Sequence, residues 1–178
     1  MVMYRRNRIA GATYFFTVTL RNRQSDLLVS HIDDLRHAFR TTKQKYPFTI
    51  DALVVLPEHL HALFTLPEAD HDYSTRWREI KSCFVRRLRH KDIDADYSNK
   101  SSARIWQDRF WEHTIRDQRD YAAHFNYIHI NPVKHGLVTR VADWPHSSFH
   151  RYVKQGILNV DWSGDALNAT DAGFGERA

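Results

Sequence analysis

FTIDALVVLPEHLHALFTLP, residues 48–67, is the stretch whose reading decides the fold. Two runs rich in β-branched and aliphatic residues, 48–56 and 59–66, are separated only by Pro57-Glu58, so they read as adjacent strands joined by a tight connection. Side chains alternate along a strand, which puts Leu60, Ala62 and Phe64 on one face and His59, His61 and Leu63 on the other. The first set suits a helix-covered core, leaving the two histidines together on an open face. At that spacing they lie about 7 Å apart along the strand, close enough for two ring nitrogens to converge on one divalent ion. A lone histidine is more often structural, and the pair by itself divides evenly between ligation and packing. Zinc hydrolases that use the same His-x-His spacing follow it with further Asp or His ligands, which ALFTLPEAD does not supply nearby.

Outward from this hairpin the chain alternates between the two periodicities. ATYFFTVTL (12–20) is a strand. HIDDLRHAFRTTKQKY (31–46) has apolar residues at helical spacing, with Ser30 as the expected N-cap and Pro47 beyond its end. Ser74 or Thr75 caps a helix running to about Arg89. DIDADYSNKSSAR (92–104) is polar and reads as a loop, and RFWEHTIR (109–116) is a fourth strand. Asp117 caps a helix that Pro132 is expected to terminate, Gly136 is a turn residue, and 144–156 adds a short helix. The order βαββαβα predicts an α+β fold, a ferredoxin-like antiparallel sheet with helices on one face. One domain is expected over residues 1–162 with a short basic N-terminal arm, followed by a polar, acidic and disordered tail over 163–178.

Composition narrows the partners. The 178 residues are 42% hydrophobic and 13% aromatic, with no run long enough to cross a membrane. The N-terminus does not read as a secretory signal, and a single cysteine, Cys83, excludes a disulfide framework and fits a cytoplasmic protein. The net charge of +5 is modest, but it is unevenly placed. Arg5, Arg6 and Arg8 form the arm, and RWREIKSCFVRRLRHK (76–91) carries seven Arg or Lys against one acid, Glu79. A solvated helix face is the ordinary explanation. Interleaving by Trp77 and Phe84 admits another, in which Arg76, Lys81, Arg86 and Arg87 contact phosphates and Trp77 stacks on an unpaired base.

A third ligand for the histidine pair is available in HFNYIHINPVKHG (124–136), where Tyr127 and Asn131 stand one helical turn apart. An Asn carbonyl oxygen can complete a set with His59 and His61. A phenol beside such an ion is a nucleophile matched to phosphodiester cleavage, because it stores the bond as a phosphotyrosine. Packing of Tyr127 on the sheet and a helix-end role for Asn131 are the competing explanations. His129 points elsewhere and reads as structural or DNA-facing.

Taken together, YRR (4–6) with GATYFFTVTL (11–20), VVLPEHLHALFTLP (54–67), STRWREIKSCF (74–84), IWQDRFWEHTIRD (105–117), YIHINPVKHGLV (127–138) and DWPHSSFHRYV (143–153) resemble the REP-associated tyrosine transposases, within the HUH single-tyrosine superfamily. The resemblance implies a ferredoxin-like endonuclease dependent on Mg²⁺ or Mn²⁺. Its partner would be single-stranded DNA bearing short palindromic hairpins, cut and rejoined through a 5′-phosphotyrosine with a free 3′-OH. By position, His59, His61 and Asn131 would hold the metal and Tyr127 would attack. Whether the chain acts as a monomer or a homodimer is left open. Two other classes compete: a hairpin DNA- or RNA-binding module that cuts nothing, and a metal hydrolase that activates water. A covalent DNA adduct separates the first reading from both.

Overall fold

The computed structural model describes residues 7–91 and 105–164. Arg5, Arg6, the expected loop at 92–104 and the tail from 165 onward lie outside these residues. The strands are β1 (Thr13–Thr19), β2 (Thr49–Val55), β3 (His59–Thr65) and β4 (Trp111–Thr114). Between and after them come helices α1 (Leu27–Ser30), α2 (Ile32–Lys45), α3 (Tyr73–His90), α4 (Gln118–Lys134) and α5 (Phe149–Lys154). The strands form one antiparallel sheet in the order β2-β3-β1-β4, the ferredoxin-like order expected of split βαββαβ chains.

Alternation along β1 and β3 sorts the sheet into two faces. Tyr14, Phe16, Val18, Leu60, Ala62 and Phe64 join Leu35, Phe39, Trp77, Ile80 and Phe84 in the larger core, so α2 and α3 form the expected helical layer. Helix α4 departs from that expectation. Its Tyr127 and Ile128 cluster with Phe15, Ala52, Val54 and Leu63 on the opposite face. The face expected to be open is therefore covered, and His59 and His61 are 2% and 0% exposed. A sheet with apolar residues on both sides buries both, and α4 supplies the second cover.

Several local expectations shift for identifiable reasons. Ser30 does not cap α2, because Leu27–Ser30 is already helical and His31 is the junction. Asp72, rather than Ser74 or Thr75, caps α3 by accepting from the Thr75 amide at 3.0 Å. Asp117 caps α4 as read, accepting from Asp120 N at 2.8 Å. Pro132 does not end α4, which continues to Lys134. Proline removes one rung of the helix, but the terminus is set by Gly136 at φ +67°, where Gly136 N donates to Val133 O and Leu137 N to Pro132 O. Among the described residues no helix is long and apolar enough to cross a membrane.

Candidate active site beneath helix α4

The antiparallel register places His59 opposite Thr19 and His61 opposite Thr17, at the end of β3 that follows the Pro57-Glu58 connection. Their ring centroids are 4.9 Å apart, closer than strand spacing alone implies, with the rings at 81°. Each ring is fixed through Nδ1. His59 Nδ1 lies 2.8 Å from Glu58 Oε1, and His61 Nδ1 lies 2.9 Å from Thr17 Oγ1. Burial alone would raise the Glu58 carboxyl, but the hydrogen bond and charge of His59, aided by Arg23, bring it below its ordinary value. A carboxylate accepting from Nδ1–H leaves Nε2 as the lone-pair atom of the imidazole. Thr17 can hold His61 in the same tautomer. In the neutral form, two imidazoles oriented in this way are the donor chemistry a divalent cation requires.

Helix α4 lays one row of side chains over this pair. Tyr127 is 3% exposed, and its ring centroid is 5.3 Å from that of His61. Asn131, one turn on, is fully buried. His135, a further turn on, brings its ring to 5.2 Å from His59. Because the flanking members of the row touch His61 and His59 respectively, Asn131 lies over the pair between them. The expected set of His59, His61, Asn131 and Tyr127 is thus assembled on one face. Lys134 adds a cation 4.8 Å above the Tyr127 ring.

His135 and Lys134 escape a reading that stops the helix at Pro132. The signal that finds them is Gly136, whose left-handed conformation marks the true end one turn later.

The neighbouring residues are structural. His129 is fully buried, with Nδ1 2.9 Å from Phe125 O and Nε2 2.8 Å from Ser148 Oγ. A carbonyl only accepts, so Nδ1 carries the proton, and burial pushes the imidazole pKa down to about 4. Tyr121 lies toward β2, and burial, reinforced by the charge of Asp51, pushes its phenol up to about 12. His113, Asp120 and His124 bring possible metal-binding atoms within 4.8 Å of one another. The two rings are stacked 12° from parallel, however, so their in-plane lone pairs do not converge on a shared point. The Asp120 carboxylate is occupied instead by His113 at 2.8 Å, His124 at 3.1 Å and Arg116. This cluster ties β4 to the start of α4.

The basic helix is reassigned in part. Arg76 is 2% exposed and is spent on Asp70 Oδ2 at 2.7 Å and on the carbonyls of Asp72 and Pro47. Trp77 is 1% exposed and stacks on Phe64 at 4.9 Å, which corrects its assignment as a base-stacking residue. Arg87 pairs with the buried Asp34 at 2.7 Å, and Lys81 donates to Gln107 O. Arg86 and Arg8 are exposed. All the α3 cations belong to the layer across the sheet from the histidines, because Trp77, Ile80 and Phe84 commit α3 to that side. On the histidine side Trp144 packs against the smaller core and donates to Val55 O, whereas Trp111, which pairs with Thr17, is 39% exposed.

Comparison with known proteins accords with this geometry. Residues 9–131 match the family described as "Transposase IS200 like". A REP-associated tyrosine transposase of Escherichia coli is 51% identical over 177 residues, covering 99% of this chain and 98% of the relative. A putative REP-associated tyrosine transposase of Haemophilus influenzae is 45% identical, covering 93% and 95%. A solved structure of a REP-associated tyrosine transposase bound to a REP hairpin superposes with a TM-score of 0.86 at 50% identity, covering 100% of this chain and 99% of that one.

Proposed function

The chain belongs to the IS200-like transposase family, an enzyme of the tyrosine-transposase kind, and from that premise we propose that it cuts and rejoins single-stranded DNA beside REP-type palindromic hairpins, with Tyr127 as nucleophile. The observation that carries the assignment is the buried convergence of Tyr127 on His61, with Asn131 and His135 continuing the same helical row over His59. One domain over residues 1–162 carries the activity, in the cytoplasm where the DNA is.

His59 and His61 through Nε2, with the Asn131 amide oxygen, are the residues that would hold a divalent cation, Mg²⁺ or Mn²⁺ in this reading. When bound, that ion supplies Lewis-acid polarisation of the scissile phosphate and neutralises its developing charge. The chain's own groups do the rest. The Tyr127 oxygen loses its proton and attacks phosphorus. The P–O3′ bond breaks, its electron pair leaves on O3′, and that oxygen is protonated to a free 3′-OH. The 5′ side remains as a phosphotyrosine, and the reverse reaction with a 3′-OH restores the strand without external energy. Lys134 sets positive charge over the ring as negative charge passes from the phenol to the phosphate. Glu58 and Thr17 hold the imidazoles in orientation. Trp111 takes the base-stacking role, being an exposed aromatic on the histidine side.

The test is a single-turnover reaction with a labelled hairpin strand and Mg²⁺, read as a denaturant-resistant protein–DNA band and mapped to Tyr127 by mass spectrometry. Cleavage without an adduct would instead establish a water-activating hydrolase. Binding without cleavage would establish a non-catalytic hairpin-binding protein.

A further inference from the structure

Away from the site just described, a groove of about 340 Å³ runs along the outer edge of β2, between α2 and the segment 145–151. Its floor is apolar, made by Leu35, Phe39, Ile50, Leu53 and Val55. Its rims are cationic. Arg36, Arg40 and Lys43 line one side, spaced four and then three residues along α2, so they rise in steps of about 6 and about 4.5 Å on a single face. Arg151 lines the other side. Arg36 has one carboxylate partner, Asp33 at 3.1 Å, but no Asp or Glu lines the groove itself.

We propose that this groove is a track for the single strand that extends from the hairpin, with Arg40, Lys43 and Arg151 on its phosphates and the apolar floor against its bases. The proposal rests on the single-strand reading above, and three observations select this occupant. Charge comes first: a groove with cations on both walls and no acid in its lining attracts a polyanion. Second, the edge of β2 is already satisfied, which disfavours an added peptide strand. Val55 N donates to His146 O, Ser148 N to Leu53 O and Leu53 N to Ser148 Oγ, while Arg151 donates to the carbonyls of Ile50 and Asp51. What remains to be bound is side-chain and charge surface, which suits a nucleic acid.

Third, the groove runs on the α2 side of the sheet, opposite the histidines, toward the connection from which His59 emerges. From Ile50 to Val55 it spans about 17 Å of strand. Val55 pairs with Leu60, and Leu56 N donates to His59 O, so its far end opens beside the connection from which His59 emerges. To enter the groove from the histidine face, a strand passes around that connection. A single strand lying between α2 and residues 145–151 can put bases down and phosphates out.

The experiment compares binding of two labelled DNAs across a salt series: a blunt hairpin, and the same hairpin with a single-strand extension. The variant is Arg40→Gln with Lys43→Gln, both exposed and outside the active site. On the extended DNA the variant binds more weakly, and its log-log salt slope flattens by about 1.4, at roughly 0.7 per lost single-strand phosphate contact. On the blunt hairpin it matches the wild type. An unchanged slope on the extended DNA overturns the proposal and leaves the groove for an acidic protein segment. Equal losses on both DNAs also overturn it, because the cations then act on the hairpin as general charge. The readout is equilibrium binding, so it stands even if Tyr127 forms no adduct, and the two ideas fail separately.

Discussion

Tyr127 and Tyr121 share a helix and a chemical group, yet only one can act. Tyr127 meets His61 and lies under the Lys134 cation, whereas Tyr121 sits toward β2 with its phenol raised to about 12. Tyr127→Phe keeps the packing and removes the attacking oxygen. Gel analysis after denaturation should show neither strand cleavage nor adduct, with hairpin affinity retained, while Tyr121→Phe cuts normally. Wild-type cleavage by Tyr127→Phe would sink the assignment. His61→Ala should abolish cleavage with binding nearly intact, and Asn131→Ala should be milder because water can replace a neutral amide. Glu58→Gln tests the support around the histidines. It weakens the hold on the His59 Nδ1–H, so the Mn²⁺ concentration for half-maximal cleavage should rise by roughly 10- to 100-fold. An unchanged metal requirement would leave Glu58 as a surface carboxylate.

At the scale of elements, α3 and α4 exchange the roles that their composition advertises. Helix α3 is the more basic, yet it docks by Trp77, Ile80, Phe84 and Leu88 on the face away from the histidines. Trp77→Ala should therefore cost about 3–5 kcal/mol of stability in denaturant unfolding, with no selective loss of DNA affinity in the folded protein. Helix α4 carries the site because it outlasts Pro132. Gly136→Val would force a β-branched residue into a left-handed turn, costing about 1–3 kcal/mol and loosening the turn that presents His135. Cleavage should slow more than binding weakens. Equal cleavage in Gly136→Val and wild type would show that the placement of His135 does not matter.

For the whole molecule, the link between β4 and α4 makes stability depend on acid. Burial acts to raise the Asp120 carboxyl, but hydrogen bonds from His113 and Arg116 outweigh it and hold the group at about 2. A depressed carboxyl contributes stability that is complete above its unfolded value, near 4, and is lost as pH falls through 2. His124 has the same sign in a higher window: burial lowers its pKa, so stability falls once pH drops below the ordinary histidine value. Thermal melts should decline from about pH 6.5 downward and most steeply below 4. Asp120→Asn should be destabilised by about 2 kcal/mol at pH 7 and should show a flatter curve below pH 4. A parallel acid profile in the two proteins would remove Asp120 as a cause.

The sequence alone determined the strand order in outline, the alternation that separates His59 and His61 from Leu60, Ala62 and Phe64, and the turn-apart spacing of Tyr127 and Asn131. These are local matters, set by strand and helix periods that a single segment carries within itself. Tertiary structure decided the rest. Which side of the sheet α4 covers, whether Trp77 meets DNA or Phe64, and whether Arg76 reaches a phosphate or Asp70 all depend on contacts between segments distant in the chain. A basic, aromatic helix has the same composition whether its aromatics face a core or a ligand. Only the competition among all apolar faces for burial settles which of them is left for DNA.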